Sequence, residues 1–119
     1  MKACDFVGML FLARDVAHRV HLSTRSYAKH MALDGFYHEI IELADKFTEA
    51  YQGQYGLLSI PLMSSKKSVD IVTFLNDQKE EIEACRYEIC DKKDAPLQNI
   101  IDEIVGQYLS TLYKLKFLA

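Results

Sequence analysis

The stretch Ile71-Val72-Thr73-Phe74-Leu75-Asn76-Asp77-Gln78-Lys79-Glu80-Glu81-Ile82-Glu83-Ala84-Cys85-Arg86-Tyr87-Glu88-Ile89 decides the fold. Its stripe of Ile71, Leu75, Gln78, Ile82, Cys85 and Ile89 advances by four, three, four, three and four residues. Steps of three and four keep side chains on one face of a helix, because a turn takes about 3.6 residues. Their alternation is the spacing by which a helix offers a seam to neighbours in a bundle. A half-buried strand would instead change sides at every residue, and no segment of the chain sustains that pattern. The spacing predicts a helix that starts near Ser65 or Ser68.

The same rhythm extends in both directions. Downstream, Asp91-Lys92-Lys93-Asp94-Ala95-Pro96 reads as a short turn, with Asp94 as a cap and Pro96 tolerated in the first helical turn. Beyond it, Leu97, Ile101, Ile104, Tyr108, Thr111 and Leu115 form the stripe of a fourth segment. Upstream, residues 54–67 make a long connection, apolar in its middle, of the kind that packs across the side or end of a bundle. A second segment runs to about Gln52 on a stripe that includes Leu33, Phe36, Ile40, Leu43 and Phe47, with Gly53 and Gly56 closing it. The first, roughly Ala3 to Leu22, repeats Phe6, Leu10, Ala13, Ala17 and Val20, and Ser23 and Thr24 offer a break and an N-cap. Two helical hairpins joined by one long crossover between helices 2 and 3 give an all-α, antiparallel four-helix bundle of ferritin-like connectivity, with residues 1–119 as one domain.

Charge and composition remove several classes of function. Fourteen Lys and Arg against seventeen Asp and Glu give a formal net charge of −3. A protein that holds nucleic acid through its phosphates carries a basic excess on one face. The basic clusters here, Lys66-Lys67, Lys92-Lys93 and Lys114/Lys116, are short and lie close to acids, so DNA binding is disfavoured. No stretch is apolar enough to span a bilayer, and Asp5, Arg14 and Asp15 interrupt the one that resembles a signal peptide. Cys4, Cys85 and Cys90 are an odd set without metal-type spacing and read as reduced thiols of a cytoplasmic protein. There is no phosphate-binding glycine loop and no catalytic serine motif.

Chemistry concentrates in one region. All four histidines, at 18, 21, 30 and 38, fall within the first two segments, and most of the acids that can join them lie on the second. At about 100° per residue, His30, Asp34, His38, Asp45 and Glu49 share a narrow stripe, well rotated from the apolar stripe of the same helix. Imidazoles with carboxylates suit divalent iron, zinc or manganese. An inward Glu-x-x-His site, the usual di-iron arrangement of ferritin-like bundles, is missing, because the third and fourth segments contain no histidine. A metal site built from the stripe belongs between subunits. The bland alternative is a solvated polar face.

The run Ala17-His18, His30, Asp34-Gly35-Phe36, Asp45 and Glu49 resembles the Dps family of mini-ferritins, whose first histidine, second histidine, Asp, second Asp and Glu stand at these steps. His21-Leu22 is an equal alternative for the first histidine. The resemblance implies iron as the metal and a ferroxidase site shared by two chains about a twofold axis. One chain supplies His18 (or His21), His30 and Asp34, and the other supplies Asp45 and Glu49. It also implies at least a twofold homo-oligomer. The segment from His21-Leu22 to Gln52-Gly53 looks like that of short ferritin-like proteins encoded by bacteriophages. The family's Trp after the first histidine and its basic N-terminal extension are absent. Outside residues 17–56 the likeness rests on helix order and length.

Neighbouring residues receive plainer readings. Tyr27 lies on the ligand face as a hydrogen-bond donor to the ligands, whereas Tyr37 and Tyr51 read as core residues whose hydroxyls reach the surface. His38 reads as an exposed or interface histidine. Cys85 fits a core position, Cys90 less clearly.

Overall fold

A computed structural model of the chain describes residues 1–65 and 70–119. It contains four helices, α1 (Ala3–Ser23), α2 (Tyr27–Tyr55), α3 (Ile71–Ile89) and α4 (Ala95–Phe117), and no strand among the described residues. The apolar stripes read from the sequence form the common core. Phe6, Leu10, Phe36, Ile40, Leu75, Ile82, Ile101 and Ile104 are sealed from solvent.

Cross-helix contacts fix the relative directions. Phe6 meets Phe47 edge to face, with ring centroids 4.9 Å apart, and His21 stacks on His30, so α1 and α2 run antiparallel. The Tyr55 hydroxyl donates to Asp94 at 2.6 Å, Lys46 pairs with Glu103, and Phe36 packs on Tyr108, so α2 and α4 also run antiparallel. The Met1 ammonium reaches Glu88 at 2.6 Å and Gln78 donates to the Met9 carbonyl at 3.4 Å, which sets α1 against α3 in the same sense.

Local chemistry sets the ends, not always where the sequence reading put them. Ser26, rather than Ser23 or Thr24, caps α2: its Oγ accepts from the Lys29 amide, while Thr24 accepts from Ser26 and shapes the turn. Asp70 caps α3. Its carboxylate accepts from both the amide and the hydroxyl of Thr73, which holds it below its ordinary acidity range. Ser65 precedes the helix, and Ser68 lies outside the described residues. Gly53 is inside α2, and Gly56, with φ +100°, ends it. Asp94 does start α4, but its carboxylate takes the Tyr55 hydroxyl instead of capping the helix, and that bond pushes Tyr55 up to about 12.

Two interior features position the rest. The connection after α2 lies against α1 at Gly8, where an added Cβ would stand 2.9 Å from the Pro61 carbonyl oxygen. Gln78 sits on the seam, donating to Met9 and accepting from the fully buried Tyr108 hydroxyl at 2.8 Å, so α1, α3 and α4 meet at one polar point. The cysteines exchange their expected places. Cys90 is buried beneath Gln98, its thiol raised to about 11 by desolvation, and Cys85 is only half-buried.

Candidate metal centre

The short turn between α1 and α2 folds the end of one helix onto the start of the other and gathers the histidines there. His21, on the last turn of α1, is 6 % exposed. Its Nδ1 lies 2.7 Å from the His30 carbonyl oxygen, and the Nδ1 of His30 lies 2.8 Å from the His21 carbonyl oxygen. A carbonyl can only accept, so both Nδ1 atoms carry the proton. In its neutral form each ring is thereby fixed in the tautomer with Nε2 as its lone-pair nitrogen. Metal-ligating histidines are held in the same way, the second nitrogen bonded to a carbonyl or carboxylate.

The two rings stack with centroids 3.7 Å apart and planes 18° from parallel. Lone pairs in two nearly parallel planes do not converge on one ion. Asp34 approaches the pair, with Oδ1 3.9 Å from Nε2 of His21. The same oxygen accepts from the Tyr37 hydroxyl at 3.2 Å, and His38 donates from Nδ1 to the Asp34 carbonyl at 2.9 Å. Partial burial, then the Asp34 charge, raise the Tyr37 hydroxyl above its usual acidity range. Tyr37 is therefore the tyrosine that supports Asp34, whereas Tyr27 is 76 % exposed and stacks loosely beside His30. The sequence predicts Tyr37 as a core residue whose hydroxyl reaches the surface, and that hydroxyl is the group bonded to Asp34. An Asp and a Tyr three residues apart on one helix face were the available signal.

His18 lies apart from this set. Its ring stacks on Tyr37 at 4.2 Å and stands 6.0 Å from His21. Of the two alternatives for the first histidine, His21 is the one joined to His30 and Asp34. Asp45 and Glu49 are exposed further along α2. At about 1.5 Å of rise per residue they are roughly 16 and 22 Å from Asp34 along the axis, beyond reach within one chain. Accordingly, among the described residues no three His, Cys, Asp or Glu side chains of a single chain stand where they can hold a metal ion. No helix of the described residues is long and apolar enough to cross a membrane.

Residues 21–115, which include the whole of α2, match a family of unknown function, DUF5856. The chain is also similar to the uncharacterized 14.6 kDa protein of the mobD–ri intergenic region of Enterobacteria phage T4. The two are 32 % identical over 121 residues, covering 96 % of this chain and 88 % of the phage protein. Neither match carries a ferritin or mini-ferritin description. No solved structure matches.

Proposed function

We propose that this chain, which belongs to the DUF5856 family of unknown function, is a Dps-like, ferritin-like bundle that pairs with a second copy of itself and binds ferrous iron between the two. In this reading His21 and His30, whose stacked rings would offer their lone pairs to separate, neighbouring ions, and Asp34 of one chain act with Asp45 and Glu49 of the other. His18 lies behind them on Tyr37. The segment between α2 and α3 is then the crossover of the ferritin arrangement, as the directions of α1, α2 and α3 favour.

One observation carries the proposal: the reciprocal Nδ1-to-carbonyl bonds of His21 and His30, which reserve both Nε2 atoms for a ligand. The spacing along α2 supplies the partner. A twofold axis crossing α2 between Glu39 and Ile40 sets Asp34 opposite Asp45 and His30 opposite Glu49. Facing carboxylates repel unless a cation lies between them. The donor set of imidazole nitrogen and carboxylate oxygen fits ferrous iron as cargo. Within the site His21 and His30 would supply neutral nitrogen, the carboxylates would favour the more highly charged ferric product, and Tyr37 would hold Asp34 in place. Oxidation of the bound iron is what the resemblance to mini-ferritins adds.

Anaerobic titration of the metal-free protein with Fe(II), followed by calorimetry, tests this. Saturable binding is expected, weakened at least tenfold by Asp45→Ala with Glu49→Ala. Binding that is absent, or unchanged in that variant, sinks the proposal.

The second reading is a non-enzymatic helical module that oligomerises and holds no metal. The near-parallel stacking of His21 on His30, which keeps their lone pairs from converging on one ion, favours it. A chelator-insensitive, metal-free particle in elemental analysis and light scattering is its expected result.

A further inference from the structure

Away from the histidines, a cleft of about 510 Å³ opens between α1 and α3. That volume lies in the range of small-molecule sites, roughly 300–1,000 Å³. Its floor is thioether and aromatic: Met1 and Met9 contribute from the start of the chain and α1, Met63 from the connection after α2, and Phe74 from α3. Methionines are flexible and polarisable, so such a floor adapts to an apolar guest without a fixed shape.

Among the described residues its charged side chains have one sign. Asp5 lines the cleft from α1, and Asp77 and Glu81 line it from α3, one helical turn apart. Among the described residues no lysine or arginine lines it, and the Met1 ammonium at one end is already bonded to Glu88. The register set by the Met9–Gln78 and Met1–Glu88 contacts brings Asp5 close to the level of Glu81 across the opening. Carboxylates on both rims above low-dielectric walls concentrate cations and repel anions.

We propose that this cleft binds a small amphiphilic organic cation, its apolar body on the methionines and Phe74 and its ammonium between Asp5 and the Asp77/Glu81 pair. The site is independent of the histidine corner and of any metal there. Neutral apolar compounds lack the rim attraction, and anionic ones are repelled.

The test is a titration of full-length protein carrying isotope-labelled methionine methyl groups with phenylbutylamine, phenylbutanol and phenylbutanoate, read by NMR. Saturable shifts of Met1, Met9 and Met63 with the amine are expected, while Met31, exposed on α2, stays still. The amine should bind at least fivefold tighter than the alcohol, and Asp77→Asn with Glu81→Gln should abolish that difference, with circular dichroism confirming the fold. Equal affinity for amine and alcohol, or Met31 moving in step with the others, overturns the proposal. So does displacement of the amine by a basic leucine–lysine helical peptide, which would make the cleft a protein-docking groove.

Discussion

Asp70 starts α3 with a single carboxylate that accepts two hydrogen bonds from Thr73. Replacing an N-cap of this kind by Ala costs about 1 kcal/mol, so Asp70→Ala is expected to lower the melting temperature by a few degrees. The pH dependence follows from the direction of the shift. The folded carboxyl is more acidic than its ordinary value of 3.8, so the folded state binds fewer protons and stability rises with pH. The contribution is complete above that value and disappears as pH falls through the lower folded one. Thermal melts between pH 6 and pH 2 (about the carboxylate range) should show the wild type converging on the Ala variant at the acid end. A constant gap would mean that the cap acts through something other than its charge. This residue also marks a boundary of what sequence reading reaches. Serines at 65 and 68 and an Asp at 70 all qualify as caps by type, and only the placement of the Thr73 amide chooses among them. Tyr37 is a parallel case: its stripe position is readable, but the bond from its hydroxyl to Asp34 depends on a rotamer.

The helices themselves were legible because each needs only a repeated step and an end signal. The four-three rhythm of Ile71, Leu75, Gln78, Ile82 and Ile89 became the buried face of α3, with Cys85 turned part-way out towards the cleft. What the sequence could not show is where a connection presses on a helix, since that is set by two segments distant in the chain. Gly8 is such a place. An added methyl would meet the Pro61 carbonyl oxygen at 2.9 Å and its ring at 3.1 Å. Helix propensity favours Ala over Gly by about 1 kcal/mol, and forced overpacking costs about 1–3 kcal/mol. Gly8→Ala is therefore expected to destabilise by about 1 kcal/mol. Gly106→Ala, on α4 with open space around it, should stabilise by a comparable amount. Paired denaturant melts check both. The same sign at both positions would mean that the connection yields freely to α1.

At the scale of the molecule, the stripe of His30, Asp34, Asp45 and Glu49 on α2 was legible from angular spacing, and so was its separation from the core. The choice between His18 and His21 was not. They differ by less than one turn, and only the fold of the hairpin shows which ring meets His30. The pairing proposed along α2 carries its own test. About a twofold axis between Glu39 and Ile40, Ile41 of one copy, half-buried in the single chain, would lie against His38 of the other. Ile41→Arg should convert a dimer to single chains in light scattering, with the helical content unchanged. A wild type that is monomeric at high concentration would leave the two halves of the iron site apart. The point where Gln78 joins Met9 and Tyr108 bears on how the bundle chooses one alignment. Hydrocarbon stripes tolerate slippage by a whole turn, since leucine facing isoleucine gains nearly what isoleucine facing leucine does. An amide and a phenol enclosed among them do not, because any shifted arrangement strands both dipoles in oil. One polar key thus discriminates among otherwise near-equivalent packings.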